Sequence, residues 1–142
     1  MAAVTGEPVS VIRGAIRQAA GKISTANGSA WPVMGVSNEN LIKAMKLLGW
    51  HITAEWNDTA IEGHYTLDQF AKDHGNDGPF IVNVTGHYVA ISHGEICDPF
   101  TCLPKDLFGG VLERGWYGGR KRKGSTWVRR WWKFEKARAQ FD

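Results

Sequence analysis

The sequence predicts an α+β domain in which N-terminal helices pack on a small antiparallel sheet. Three observations carry that expectation. Clear helical periodicity lies before residue 75, interrupted by one strand-like stretch, whereas a series of short β-rich runs separated by glycines follows Gly78-Pro79. Helices and strands are therefore partly segregated along the chain, the pattern of an α+β fold. The 142 residues are 43% hydrophobic, enough for one real core and too apolar for disorder over most of the length.

The first helix is expected over Val9 to Ala20, where Val9, Ile12, Ile16 and Ala19 or Ala20 recur at helical spacing. Glu7 and Pro8 suit its mouth, a negative charge and a fixed φ, and Gly21 suits its end. Ile23 to Val36 reads as loop. Ser37 can cap a second helix, about Asn38 to Leu48, with Leu41, Met45 and Leu48 on one stripe and Gly49 as terminator. Trp50 to Trp56 reads as a strand. Thr66-Leu67-Asp68-Gln69 has the form of a capping box and opens a helix to about His74. Phe80 to Val84, Tyr88 to Ser92 and a run from Ile96 then read as strands of an antiparallel meander. Thr126 to Phe134 fits either period. Strand is favoured by its three tryptophans and a phenylalanine, with Val128, Arg130, Trp132 and Phe134 on one face.

Charge divides the chain into a core, 1–113, and a basic, Trp-rich segment, 114–142, expected to complete the same domain. The second carries ten basic residues and two acids, a net +8, against a net −5 for the first. Arg120, Lys121, Arg122 and Lys123 form a compact cationic loop. With Trp127, Arg129, Arg130, Trp131 and Trp132 they make a candidate binding surface. Cations beside aromatics suit phosphate contact with base stacking, and equally a protein interface. The plainer alternative is a solvated basic hairpin loop whose strand aromatics pack inward.

No run approaches the roughly 18 apolar residues of a membrane span. Met1 to Gly6 lacks a basic region followed by an apolar stretch, so no secretory signal is expected. The compartment that follows is cytoplasmic, or the inside of an assembly. There Cys97 and Cys102 are expected as reduced, mostly buried thiols. A local disulfide and a zinc site with His93 are the lesser alternatives. The spacing fits no common zinc pattern, and neither metal nor cofactor is expected.

The segment Gly86-His87-Tyr88-Val89-Ala90-Ile91-Ser92-His93-Gly94-Glu95-Ile96-Cys97-Asp98 carries the functional signal. A strand starts at His87, turns at His93-Gly94 and returns to Asp98. A tight turn brings the carboxylate near the imidazole, where it can fix the tautomer and support the protonated ring. A thiol or hydroxyl nucleophile needs such a pair as its base. His51, His64, His74 and His93 read as strand-surface, loop, helix-end and turn residues. His87 alone could equally be a hydrogen-bonded core residue.

Five pieces in order resemble the papain-like cysteine peptidase superfamily. They are Ser10-Val11-Ile12-Arg13-Gly14-Ala15, Leu47-Leu48-Gly49-Trp50, Thr66-Leu67-Asp68-Gln69-Phe70, Gly86-His87 and Gly94-Glu95-Ile96-Cys97-Asp98. Residues 8–100 are similar in order and approximate spacing to bacteriocin-processing (double-glycine) peptidases and to small phage-encoded relatives. The resemblance implies a papain-like fold, with His87 as general base, Asp98 as its orienting partner and Ser10 at the nucleophile position. It also implies an amide donor shortly before the nucleophile, yet residues 1–9 hold no Gln or Asn, and Val9 stands where relatives often carry a polar residue.

Three functions are open at this level. The chain is a degenerate, phage-encoded pseudo-peptidase used for binding or assembly, in the host cytoplasm or a phage particle. Or it is an active cysteine peptidase, a hydrolase, with its nucleophile replaced by Ser10. Or Ser10 works as a serine nucleophile, or the alignment is displaced by a few residues. A nucleic-acid accessory role through 114–138 stands beside these, as does a protein partner or peptide substrate.

Overall fold

The computed structural model describes residues 1–33, 35–57, 65–84, 87–98, 101–104 and 127–138. Their elements run α1 (Ala2–Thr5), α2 (Val9–Ala20), α3 (Asn38–Leu47), β1 (Trp50–Asn57), α4 (Leu67–His74), β2 (Phe80–Val84), β3 (His87–Ser92), β4 (Glu95–Asp98), β5 (Thr101–Pro104) and β6 (Arg130–Lys136). This is a mixed α+β architecture. The chain divides into two compact units, Met1–His51 with Glu135–Asp142, and Ile52–Phe134. That division does not fall at residue 113, because β6, from the basic segment, is a strand of the sheet.

In the first unit, Pro8 stands at the N-cap of α2. A proline costs little there, because the missing N–H has no intrahelical partner at that position anyway. Gly21 closes the helix with φ 69°, a left-handed conformation that glycine adopts freely. Ile12 and Ala15 are buried, while Val9 is 54% exposed. Ile16, Ala19 and Ala20 are half-buried, so the expected stripe holds except at its first residue, Val9. Ser37 caps α3 by accepting the Asn40 N–H at 3.1 Å, and Leu41, Ala44 and Met45 fill the space against α2. The short α1 was not expected from the sequence.

The second unit is built on a six-stranded sheet of order β1-β6-β2-β3-β4-β5. The ladders β6–β2, β2–β3, β3–β4 and β4–β5 are antiparallel. On one face Phe80, Val82, Val84, Val89, Ile91 and Ile96 meet Leu67, Phe70 and Ala71 of α4, with Val128 added. The other face buries Ile81, Ala90, Trp132 and Phe134. Both faces being apolar explains why β2 reads as a nearly continuous hydrophobic run and not as an alternation. β5 was missed by the sequence reading, and β6 begins at Arg130, later than expected.

The α4 capping box forms as its sequence predicts: Thr66 Oγ1 accepts the Gln69 N–H at 3.2 Å, and Gln69 Oε1 accepts the Thr66 N–H at 3.2 Å. Thr66→Ala is expected to lower stability by about 1 kcal/mol and Thr66→Ser to keep most of it, as read by urea denaturation. His74, at the end of α4, is half-buried and not an exposed helix-end residue. Its ring lies 5.0 Å from Phe70, 5.4 Å from Trp131 and 5.7 Å from Phe80. Nearby, the Tyr65 hydroxyl donates to Asp73 at 2.8 Å. Burial first, and then that carboxylate, hold the phenol neutral well above its usual range.

Candidate functional site

His87 opens β3, and its pairing with Val84 closes the β2–β3 ladder. Side chains alternate across a strand, so His87 shares a face with Val89 and Ile91, the face packed on α4. His87 is half-buried at the end of that face. The chain reverses at His93 and Gly94, whose φ values of 46° and 87° make the tight turn. The return strand pairs Ser92 with Glu95, Ile91 with Ile96 and Ala90 with Cys97. The β3–β4 ladder ends at Ala90 and Cys97, and Asp98 follows as the last residue of β4. The hairpin thus has His87 at the start of one strand and Asp98 at the end of its antiparallel neighbour.

Ser10 is the second residue of α2 and is exposed in its first turn. It belongs to the first unit, whereas His87 and Asp98 belong to the second. A helix N-terminus stabilises an anion there. It would lower the pKa of a thiol appreciably, but a serine hydroxyl stays protonated and gains far less. No protein-family model, curated protein or solved structure matches this chain. The functional reading therefore rests on the residues themselves.

The expectation of reduced thiols is corrected. Cys97 is disulfide-bonded, and Cys102, the chain's other cysteine, stands opposite it in the β4–β5 register. Directly opposed positions on neighbouring antiparallel strands have the backbone separation that a disulfide spans. The compartment argument weighed only redox poise and could not see this pairing. His93, the remaining residue of the zinc alternative, sits exposed in the turn, with its Nδ1 2.9 Å from Ser92 Oγ. Among the described residues no cluster of three His, Cys, Asp or Glu side chains is placed to hold a metal. None of the described helices is long and apolar enough to cross a membrane.

The proposed binding surface divides. Arg120, Lys121, Arg122 and Lys123 lie outside the described residues. Trp127 is 40% exposed, with the Arg129 guanidinium 5.1 Å from its ring centroid. Of Trp131 and Trp132, read as surface anchors, the first is half-buried against the core and the second fully buried. Trp131 packs against Phe70, His74 and Phe80, and Trp132 is fully buried beneath the Arg130 guanidinium, 4.9 Å away. Consecutive strand residues point to opposite faces, and here both faces are covered. The plainer alternative, aromatics packing inward, holds for this pair.

Arg130 also belongs to a row that sequence reasoning did not find. It pairs with Asn83, which pairs with Tyr88 on the next strand, so three polar residues cross one face in line. Burial raises the Tyr88 pKa, and the Arg130 charge acts against that rise. The only sequence signal was Asn83 interrupting Ile81-Val82 and Val84.

Proposed function

We propose that this chain is a catalytically degenerate papain-like domain that works by binding a protein or peptide partner. The single observation that supports the reading is the β3–β4 hairpin, with His87 at the start of one strand and Asp98 at the end of its antiparallel neighbour. The reading assigns this pair the roles of base and orienting carboxylate in a nucleophilic hydrolase. The rest of the machinery is weak. A hydroxyl occupies the mouth of α2, no amide side chain precedes it, and among the described residues no thiol is free. A phage-encoded assembly component, in the host cytoplasm or within the particle, fits a fold kept after its chemistry has lapsed. Trp132 is fully buried and Trp131 half-buried against Phe70, which leaves less aromatic surface for a nucleic-acid role.

The test restores the missing thiol. Ser10→Cys protein is treated with a thiol-directed electrophile across pH, with the parent chain as control for Cys97 and Cys102. Labelling of the new thiol is expected at neutral pH, about tenfold faster than an ordinary exposed thiol, since each unit of pKa depression raises the thiolate fraction by that factor. His87→Ala should abolish the gain. Labelling at the ordinary rate, indifferent to His87, would sink the reading.

A further inference from the structure

Inside the first unit, residues of α2, Lys22, the segment 31–33 with Gly35, and Asn40 of α3 line an open pocket of about 340 Å³. Ile16, Ala20 and Val33 supply apolar wall, and Arg17, Lys22 and Trp31 supply charge and an aromatic ring. A tryptophan is usually buried when it serves only packing, but Trp31 is 39% exposed. Its backbone is clamped from both sides. Its N–H donates to Ile23 O at 3.0 Å, and its carbonyl accepts from Arg17 Nε at 2.6 Å. A Ser24–Ala30 bridge closes the small hairpin behind it. The ring is thus presented on a braced support, the condition under which little ordering cost remains at binding.

The charge around it is one-sided. Residues 8–38 contain Arg13, Arg17 and Lys22 and no acid, although 1–113 as a whole carries net −5. Lys22 Nζ lies 5.5 Å from the Trp31 ring centroid, and among the described residues neither Lys22 nor Arg17 is paired with a carboxylate. Glu39 is exposed and does not line the pocket. Arg17 uses Nε on the Trp31 carbonyl, so the fork of its terminal nitrogens is left for an acceptor, and a phosphate or carboxylate matches that fork. Asn40, in the first turn of α3, brings the positive end of that helix to the same rim.

We propose that this pocket binds a small organic anion. Arg17 and Lys22 hold its phosphate or carboxylate, and its flat, apolar body packs on Trp31, Ile16, Ala20 and Val33. The volume suits a molecule the size of a nucleoside monophosphate or an aryl carboxylate. The inference uses no residue of the His87–Asp98 site and stands apart from the papain-like reading.

Calorimetric and two-dimensional NMR titration of the full chain tests it with four probes: adenosine monophosphate, adenosine, indole-3-acetate and inorganic phosphate. At least one of the two organic anions should bind saturably, with shifts confined to the pocket residues. Adenosine monophosphate alone would assign a phosphate ligand, and indole-3-acetate alone a carboxylate. Adenosine should bind at least tenfold more weakly than its monophosphate. Lys22→Glu, at an exposed position, should weaken the anion at least tenfold while the far-UV spectrum stays unchanged. Trp31→Ala should weaken the organic anions and leave any inorganic phosphate binding as it was. Failure of both organic anions to saturate, equal binding of adenosine and its monophosphate, or indifference to Lys22→Glu would each overturn the proposal.

Discussion

Phe70→Ala is expected to remove about 3–5 kcal/mol of stability, the range for deleting a fully buried aromatic side chain. Phe70 is 0% exposed. Its ring meets Phe80 edge-on at 5.1 Å and Tyr65 edge-on at 6.2 Å, with Trp131 at 5.7 Å and His74 at 5.0 Å. Such edge-to-face pairs add about 0.5–1.5 kcal/mol each beyond the area they bury. The residue also joins α4 to the face that carries His87, so its loss loosens the platform of the candidate site. A domain whose whole stability is about 5–15 kcal/mol has little margin for this. Urea denaturation reads the effect, with Val9→Ala on the exposed side of α2 as the near-neutral comparison. Where Phe70→Ala fails to fold, Phe70→Leu gives a smaller loss of the same sign. A loss under about 1 kcal/mol for Phe70→Ala would show that α4 does not pack here.

Gly78→Ala is expected to be nearly as damaging although it adds a single methyl group. A Cβ at this position would sit 2.9 Å from the Ile91 carbonyl oxygen and 2.9 Å from Ser92 Cα. Both are backbone atoms of β3 and cannot swing aside as a side chain would. The φ of +130° adds strain for any residue with a Cβ. Backbone strain and overpacking each contribute about 1–3 kcal/mol, so a loss of roughly 2–5 kcal/mol follows. The close approach is fixed by the bonds around it, His93 N–H to Asp77 O at 2.8 Å and Gly94 N–H to Gly75 O at 2.7 Å. Gly14→Ala is the counterpart. That glycine lies within α2 with nothing inside 4 Å of a new Cβ, and alanine there should stabilise by about 0.5–1 kcal/mol. Thermal and urea unfolding of the two variants should move in opposite directions. Equal behaviour would contradict the described path of the α4–β2 connection.

What the sequence disclosed and what it hid follow from the range of the interactions. Thr66 and Gln69 reach each other within one helical turn, and Ser37 caps its own helix, so three or four residues suffice to read them. The β2–β3–β4 meander was legible because Gly86 and His93-Gly94 interrupt β-rich runs directly in the sequence. β5 escaped because Pro99 and Pro104 bracket a short run and proline argues against a strand. Trp131 and Trp132 were misplaced because their charged neighbours suggested a surface. Only the pairing of β6 with β2, distant in sequence, packs one ring against each face. The Cys97 disulfide likewise depends on a register that spacing alone does not state. For the candidate site, the His87–Asp98 relation came from hairpin arithmetic. The pocket at Trp31 came from tertiary placement, and its only sequence trace was a stretch without acids.

The place of β6 also shapes how the sheet is completed. β2 to β5 follow one another closely and can zip up from neighbouring turns, whereas β6 must travel back from far along the chain to lie between β1 and β2. Contacts of that separation form late, because a long loop must close before they reward it. Until β6 docks, β2 presents an open row of backbone donors and acceptors flanked by Phe80, Ile81 and Val82. Such an edge pairs with any other strand that arrives first. The chain's risk of misassembly is therefore concentrated at one seam and in one interval of folding, and a partner or chaperone covering that seam would protect the whole molecule.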